Sequence, residues 1–359
     1  MKGKMKAQVF YEPEVMRLEE VQIPEPRFNE VLIKVRACGV CGSDLAYFFG
    51  DTPLENKTGK GPMIMGHEFC GEIAELGAGV EEMGLFKVGD RVIANPVQNC
   101  NACPQCMRKQ VNLCKNVQTK GTGVDGAYAE YATVRYTHVY KMPDHMTYEQ
   151  GAICEPLACA VNGVGKLDIQ IGDQVVLFGP GNIGIMMIQL MKAKGAVVTA
   201  IGPIDYGLEK ALEFGADYVI NNVKKESVYY TDNLVGKVSE ITEGELANKV
   251  IVATAAKPAL QQALEVSGMK AVITYFGMPA STTVLEVPLL DFQQKDKTIH
   301  VSWLAPYTWD EAMKALSTGK VKTDGMVTHR WHLEELEEAI RFMKDPDKEE
   351  KIKSIILFP

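Results

Sequence analysis

A chain of 359 residues exceeds what one hydrophobic core ordinarily serves, so two domains are expected. Its net charge of -8 denies it the broad basic face that nucleic-acid binding requires, while leaving room for phosphate recognition by a local glycine loop. No run approaches the ~20 apolar residues that span a bilayer, and the start from Met1, strand-like at Ala7-Gln-Val-Phe-Tyr and charged at Glu12 and Glu14, is too short and polar for a signal segment, so a cytoplasmic protein is expected.

Val31 to Ala37 alternates apolar and charged residues at period two, the mark of a strand with one face buried. Pro and Gly punctuate the chain as far as Pro143, and Lys87-Val-Gly-Asp-Arg-Val-Ile-Ala reads as a turn feeding another strand. An all-β first domain follows. The texture changes after Glu155-Pro156. Gln174 to Phe178 is a short apolar run ending in Gly179-Pro-Gly181-Asn182-Ile183-Gly184; a helical stretch follows, closed by Gly195, and then the apolar Ala196 to Ile201. Strand, glycine turn, helix and strand make one βαβ unit, so this half is α/β with a parallel sheet. Apolar runs at Tyr218, Val250 and Ala271 continue that sheet, with helices expected over 207–214 and 259–267. An amphipathic helix over 333–344 and a strand from Lys353 close the chain.

Nine cysteines are many for a reducing compartment, where disulfides do not persist. Four of them, Cys100, Cys103, Cys106 and Cys114, fall within one short stretch whose spacing suits a single tetrahedral ion. Zinc is the natural occupant and would be structural, since four thiolates leave no position for water; an iron–sulfur cluster or free thiols are the other readings. Cys38, Cys70, Cys154 and Cys159 lie among small or apolar neighbours and read as buried hydrophobes.

Three separated pieces bring thiolate, imidazole and carboxylate, all competent zinc ligands: Cys41-Gly-Ser43-Asp44, Gly66-His67-Glu68 and Glu155-Pro-Leu157. Any one alone is more often structural. Their conjunction with the four-cysteine lobe and the glycine turn is specific, and the chain resembles the zinc-dependent medium-chain dehydrogenase/reductase family, in its sorbitol (polyol) and threonine dehydrogenase branch. The resemblance covers essentially the whole chain and includes Val88-Gly-Asp-Arg-Val92. It implies a GroES-like β domain carrying a catalytic and a structural zinc (residues 1–155 and 303–359), a doubly wound Rossmann domain for the nicotinamide cofactor (156–302), and an active site in the cleft between them. By the same resemblance Cys41 and His67 are zinc ligands, Glu155 reaches the metal directly or through water, and Glu68 exchanges with bound water. Ser43 relays the substrate proton and Asp44 orients His67. The implied reaction is oxidation of a secondary alcohol, with zinc as Lewis acid and hydride passing to the nicotinamide. A polyol or sugar alcohol is the expected substrate; a threonine-like amino-alcohol, or a phosphorylated or inositol-like polyol, is the alternative.

Two departures from the family pattern stand out. Tyr47 replaces a histidine common in relatives, and Asn162 replaces one usual in sorbitol dehydrogenases. The cofactor choice stays open between NAD and NADP. The acid that binds the ribose in NAD users, about 20 residues beyond the glycine turn, falls here on Gly202; Asp205 follows and would serve if the turn bends back, and no arginine follows to hold a 2′-phosphate. Tyr47, Phe48, Phe49 and the stretch 303–307 are pocket candidates by position. In relatives Rossmann strands pair across a two-fold, and residues 298–303 are the candidate for a homodimer or homotetramer contact here. A zinc-ribbon nucleic-acid module conflicts with the charge balance, and a silent scaffold conflicts with the intact Cys41, Ser43, His67 and Glu155.

Overall fold

The computed structural model describes residues 2–52 and 61–359, so Met1 of the N-terminal run lies outside the described residues. The chain divides into two compact units, Met1–Pro156 with Thr323–Pro359, and Leu157–Lys322.

The first unit is built on a sheet with strand order Val139–Lys141, Arg91–Ala94, Glu68–Leu76, Glu30–Gly39, Lys353–Leu357 and Val327–Trp331, with Tyr131–Arg135 also pairing on Glu30–Gly39. Val31, Ile33 and Val35 lie in one buried cluster with Phe69, Ile73 and Val92. Burial of these side chains is the main force holding the sheet together. The C-terminal strand enters antiparallel to Glu30–Gly39, with Ile356 opposite Cys38 and Ile355 opposite Gly39. That register brings Lys353, the first residue of the strand, beside the end of Glu30–Gly39. The unit is not all-β. A short helix, Gly42–Phe48, follows the central strand. The helix Leu336–Lys344 packs near it, placing the Arg341 guanidinium 5.0 Å over the Phe48 ring.

The second unit carries a six-stranded parallel sheet in the order Tyr218–Ile220, Val197–Ile201, Gln174–Phe178, Ala247–Val252, Ser267–Tyr275, Thr298–Val301. Numbered within the unit this is 3-2-1-4-5-6, the doubly wound Rossmann order, whose switch point lies outside the C-terminal end of the first strand. Helices Asn182–Ala193, Asp205–Glu213 and Lys257–Glu265 form close to where apolar periodicity places them. The stretch 303–322, expected with the β domain, groups with this unit. Side-chain hydrogen bonds hold it there: Asn162 Nδ2 donates to the Leu304 carbonyl at 2.8 Å, Thr308 Oγ1 to the Ala158 carbonyl at 2.7 Å, and the Lys322 amide to Gln189 Oε1 at 2.7 Å. The change of texture at Glu155-Pro156 marks no linker; it falls inside one helix, Tyr148–Gly165.

No helix among the described residues is long and apolar enough to cross a membrane. In the first unit, buried His138 braces the loop that leads into the cysteine lobe, its Nε2 3.2 Å from the donating Asn99 amide. Burial first, and the Arg135 guanidinium second, push its pKa down from 6.5 to about 4. The folded state therefore holds His138 neutral, whereas the unfolded chain takes up a proton near pH 6.5. Its contribution to stability is complete above that pH and is lost as pH falls toward 4. Melting of the wild type should accordingly decline more steeply between pH 6.5 and 4 than melting of His138→Gln; parallel curves would remove this role.

Candidate functional site

Cys41 sits at the turn between the strand Glu30–Gly39 and the helix Gly42–Phe48, while Glu68 opens the neighbouring strand and His67 immediately precedes it. Pairing of those strands, with Gly39 opposite Glu68, brings the pieces together. One ligand atom each from Cys41, His67 and Glu68 lies within 4.8 Å of the others. A thiolate, an imidazole and a carboxylate so converged fit a zinc ion with room for a further ligand. Ser43 Oγ stands 3.4 Å from His67 Nε2. Glu155 is buried on the helix Tyr148–Gly165 and is not in the group that converges within 4.8 Å.

The other ring nitrogen of His67 faces Asp44. Nδ1 lies 3.5 Å from Asp44 Oδ1, and neither buried atom has a hydrogen-bond partner. That spacing is long for a hydrogen bond, and a small tilt of the ring closes it. Asp44 itself is fixed at its other oxygen, which accepts from the Cys41 amide at 2.9 Å and from Tyr128 Oη at 2.8 Å. Burial raises the Asp44 pKa, but the His67 ring and these donors outweigh it and hold the carboxyl below its usual range. Burial likewise lowers the His67 value, and the charges of Asp44 and Cys41 more than reverse it. Each residue's charge is thus favoured by its neighbours, and an ion held by the imidazole would take the place of the proton.

Two further residues, absent from the sequence reading, belong to this cluster. Tyr128 is fully buried, and its hydroxyl, donating to Asp44, also lies 3.1 Å from the Gly39 carbonyl. Lys353 is buried against Glu68, to which its ammonium donates, and reaches the Val40 carbonyl at 2.9 Å. Burial lowers its pKa, but Glu68, then Cys41, raise it above the ordinary lysine value. Nothing in the sequence around Tyr128 announces this role. Lys353 had one signal, a lone charge opening the otherwise apolar run Ser354-Ile-Ile-Leu.

Among the pocket candidates, Phe48 is fully buried in the core of its unit, so it lines no pocket. Tyr47 Oη donates to the Thr122 carbonyl at 3.2 Å. The phenol at the relatives' histidine position therefore braces a loop.

In the lobe, the ligand atoms of Cys100, Cys103, Cys106 and Cys114 all lie within 4.8 Å of one another. Sulfur separations of 3.6 Å (Cys103–Cys106) and 3.9 Å (Cys103–Cys114) are far beyond an S–S bond, and all four cysteines are free. Backbone amides of Cys100 and Cys103 donate to Cys114 and Cys100 sulfur, each at 3.3 Å. Donation from the Ala102 and Cys103 amides pulls the Cys100 thiol down to about 6, while burial pushes Cys114 up to about 11. The set fits a closed tetrahedral ion, which would hold all four as thiolates.

In the second unit, the turn from Gly179 to Gly184 joins the first strand to the helix Asn182–Ala193. A Cβ on Gly184 would collide with the Gly179 carbonyl, whereas Gly181 has open space around it, the arrangement that admits a pyrophosphate to bare backbone. Ile183 is half-buried in the first helical turn. Asn182 Oδ1 is buried without a partner, as expected where a cofactor supplies one. Asp205 is engaged elsewhere: its Oδ1 accepts from Asn221 Nδ2 at 2.8 Å and Ser227 Oγ at 2.6 Å. At Gly202, an added Cβ would lie 2.8 Å from Pro180 Cδ.

Two family models match the chain. That of the alcohol dehydrogenase GroES-like domain covers residues 27–144, and that of zinc-binding dehydrogenases covers residues 182–318. The chain is 33% identical over 344 residues to D-arabitol-phosphate dehydrogenase of Enterococcus avium, which spans 94% of this chain and 93% of that protein. It is also 33% identical over 344 residues to sorbitol dehydrogenase of Bacillus subtilis, spanning 94% of this chain and 92% of that one. Among solved structures, an alcohol dehydrogenase from Escherichia coli CFT073 complexed with NADH superimposes with a TM-score of 0.88, at 29% identity over 99% of both chains.

The lobe gives a metal-removal test. Stripping all zinc, or Cys103→Ser, should lower the melting point of the first unit by roughly 5 °C or more, the shift that a loss of about 2 kcal/mol produces at this size. Calorimetry showing both units unmoved with metal absent would end the structural role.

Proposed function

Because the chain belongs to the zinc-dependent medium-chain dehydrogenase/reductase family, we propose that it oxidises a secondary alcohol, in first place a polyol or sugar alcohol, with hydride transfer to a nicotinamide cofactor. The observation that carries this reading is the convergence of Cys41, His67 and Glu68, backed by the buried Asp44. We assign zinc to that group, with Glu155 as the further protein carboxylate near the ion. When bound, zinc supplies Lewis acidity toward the substrate hydroxyl. The chain's own residues do the rest. Asp44, fixed by Tyr128 and the Cys41 amide, orients the imidazole of His67. Ser43, beside His67, accepts the substrate proton and passes it outward. The glycine turn holds the cofactor pyrophosphate through backbone amides, with Asn182 supplying a polar side chain. In this reading the first unit is the catalytic domain and the second the cofactor domain.

NAD and NADP both stay open, since solved neighbours carry NADH in one case and NADP in another. Gly202 offers no acid to the ribose and Asp205 is occupied by Asn221 and Ser227, so neither residue selects NAD. The Enterococcus relative favours a phosphorylated polyol as the second substrate reading. A cytoplasmic site of action accords with cysteines kept as free thiols.

We further propose assembly through Thr298–Val301, an edge strand of the parallel sheet on which Val301 is 71% exposed. Unpaired backbone groups on such an edge seek a partner. Light scattering should report a dimer or tetramer that Val301→Lys weakens; a wild-type monomer at high concentration would refute the contact.

The activity test follows absorbance at 340 nm with zinc-loaded protein, offering polyols, inositols, sugar phosphates and threonine with NAD or NADP. Chelator-sensitive reduction is expected with at least one polyol. Cys41→Ser and His67→Ala should each lower kcat/KM by roughly a thousandfold or more, about 4 kcal/mol of barrier, with the fold retained. Undiminished turnover in either variant, with its metal content verified, would defeat the assignment.

A further inference from the structure

The first unit encloses a cavity of about 610 Å³ that none of the roles above uses. That volume falls in the range of small-ligand pockets. Neither the members of the metal cluster, Cys41, His67 and Glu68, nor Ser43 lines it. Its apolar wall comes from the core residues Met5, Val9, Met63 and Ile64 on two paired strands, with Val21 and Ala132 beside them. Around this wall the charged groups are unevenly committed. Glu30 Oε2 accepts from the Arg27 amide and Asp125 Oδ1 from the Ile64 amide, each at 3.0 Å. Lys120 differs. It is half-buried, and among the described residues its ammonium makes one hydrogen bond, a long one of 3.4 Å to Thr133 Oγ1, and no carboxylate pairs with it. The Arg27 guanidinium, at the exposed rim, likewise has no ion-pair partner among the described residues.

An ammonium that gives up hydration without gaining a counter-charge is costly to keep. Burial lowers the Lys120 pKa for that reason, although Glu30 and then Asp125 act in the opposite direction. An anion delivered into the cavity removes the cost, because it supplies the acceptor that the protein withholds. We propose that this cavity is a second ligand site, for a small organic anion with an apolar body, whose head group Lys120 binds while the body lies against Met5, Val9 and Ile64. Arg27 at the rim adds positive charge on the path of entry. Glu30 and Asp125 do not compete for the ammonium, since each is drawn toward a backbone amide instead. The site stands apart from the catalytic reading of Cys41 and His67 and does not depend on it.

Octanoate is the probe, titrated calorimetrically into the zinc-loaded full-length protein. A single molecule should bind per chain. Lys120→Met should weaken binding by roughly tenfold or more, the loss expected when a charged hydrogen bond goes, and Lys120→Arg should retain it. Octan-1-ol has the same body without the charge, and it should bind the wild type weaker by a similar factor. Inorganic phosphate, a head group without a body, should also bind far more weakly than octanoate. Because a metal cluster attracts carboxylates too, the titration is repeated on Cys41→Ser, where binding should persist. Loss of binding in Cys41→Ser would move the octanoate to the metal cluster and overturn the site. Unchanged affinity in a folded Lys120→Met protein, or octan-1-ol binding as tightly as octanoate, would overturn the role of Lys120; the second comparison needs no variant and stands if that protein fails to fold. Phosphate that matches octanoate would overturn the apolar body of the ligand.

Discussion

Charge buried without a partner is the constraint on which this site is built. Asp44, His67, Glu68 and Lys353 are all buried at one end of the first unit's sheet, and each is tolerable there only through another. Asp44 answers His67 and leans on Tyr128; Glu68 answers Lys353. Since these residues come from four separate stretches, satisfying the charges also dictates which strands neighbour one another. The last strand of the chain is therefore part of the site as much as of the sheet. Its antiparallel register against Glu30–Gly39 delivers Lys353 to its partner.

The two cysteine-bearing clusters divide their work by composition. In the lobe, four thiolates and the backbone amides that donate to sulfur leave an ion no vacancy and little reason to leave. At Cys41 a single thiolate is mixed with an imidazole and a carboxylate; Asp44 stands behind the imidazole and Lys353 behind the carboxylate. A closed shell suits a staple for a loop-rich segment. An open one suits chemistry, and it requires the elaborate support that the other can do without.

Much of this was legible in the sequence, for a definite reason. The cysteine lobe and the glycine turn are local: their ligands or glycines lie within fifteen residues, and spacing alone limits their geometry. The parallel sheet was likewise legible from its short apolar runs. What escaped reading depends on register between distant segments. Lys353 and Glu68 are 285 residues apart in the chain, and nothing but strand pairing joins them. Tyr128 meets Asp44 across 84 residues. The helix Gly42–Phe48 was hidden by its glycine start and aromatic end, which carry little helical preference. Residues 303–322, which the family resemblance places with the β domain, group with the second unit, where hydrogen bonds through Asn162, Thr308 and Gln189 tie them, and no local pattern in the sequence marks that.

Pro180, inside the glycine turn, and Gly202, at the end of the second strand, fit against each other with no room for a β-carbon on the glycine. The two positions are therefore sterically coupled. An acidic residue at 202, the simplest way to acquire strict recognition of an unphosphorylated ribose, collides with the proline ring unless position 180 changes first. Recognition of an unphosphorylated ribose through a side chain at 202 therefore needs the turn at position 180 to give way as well.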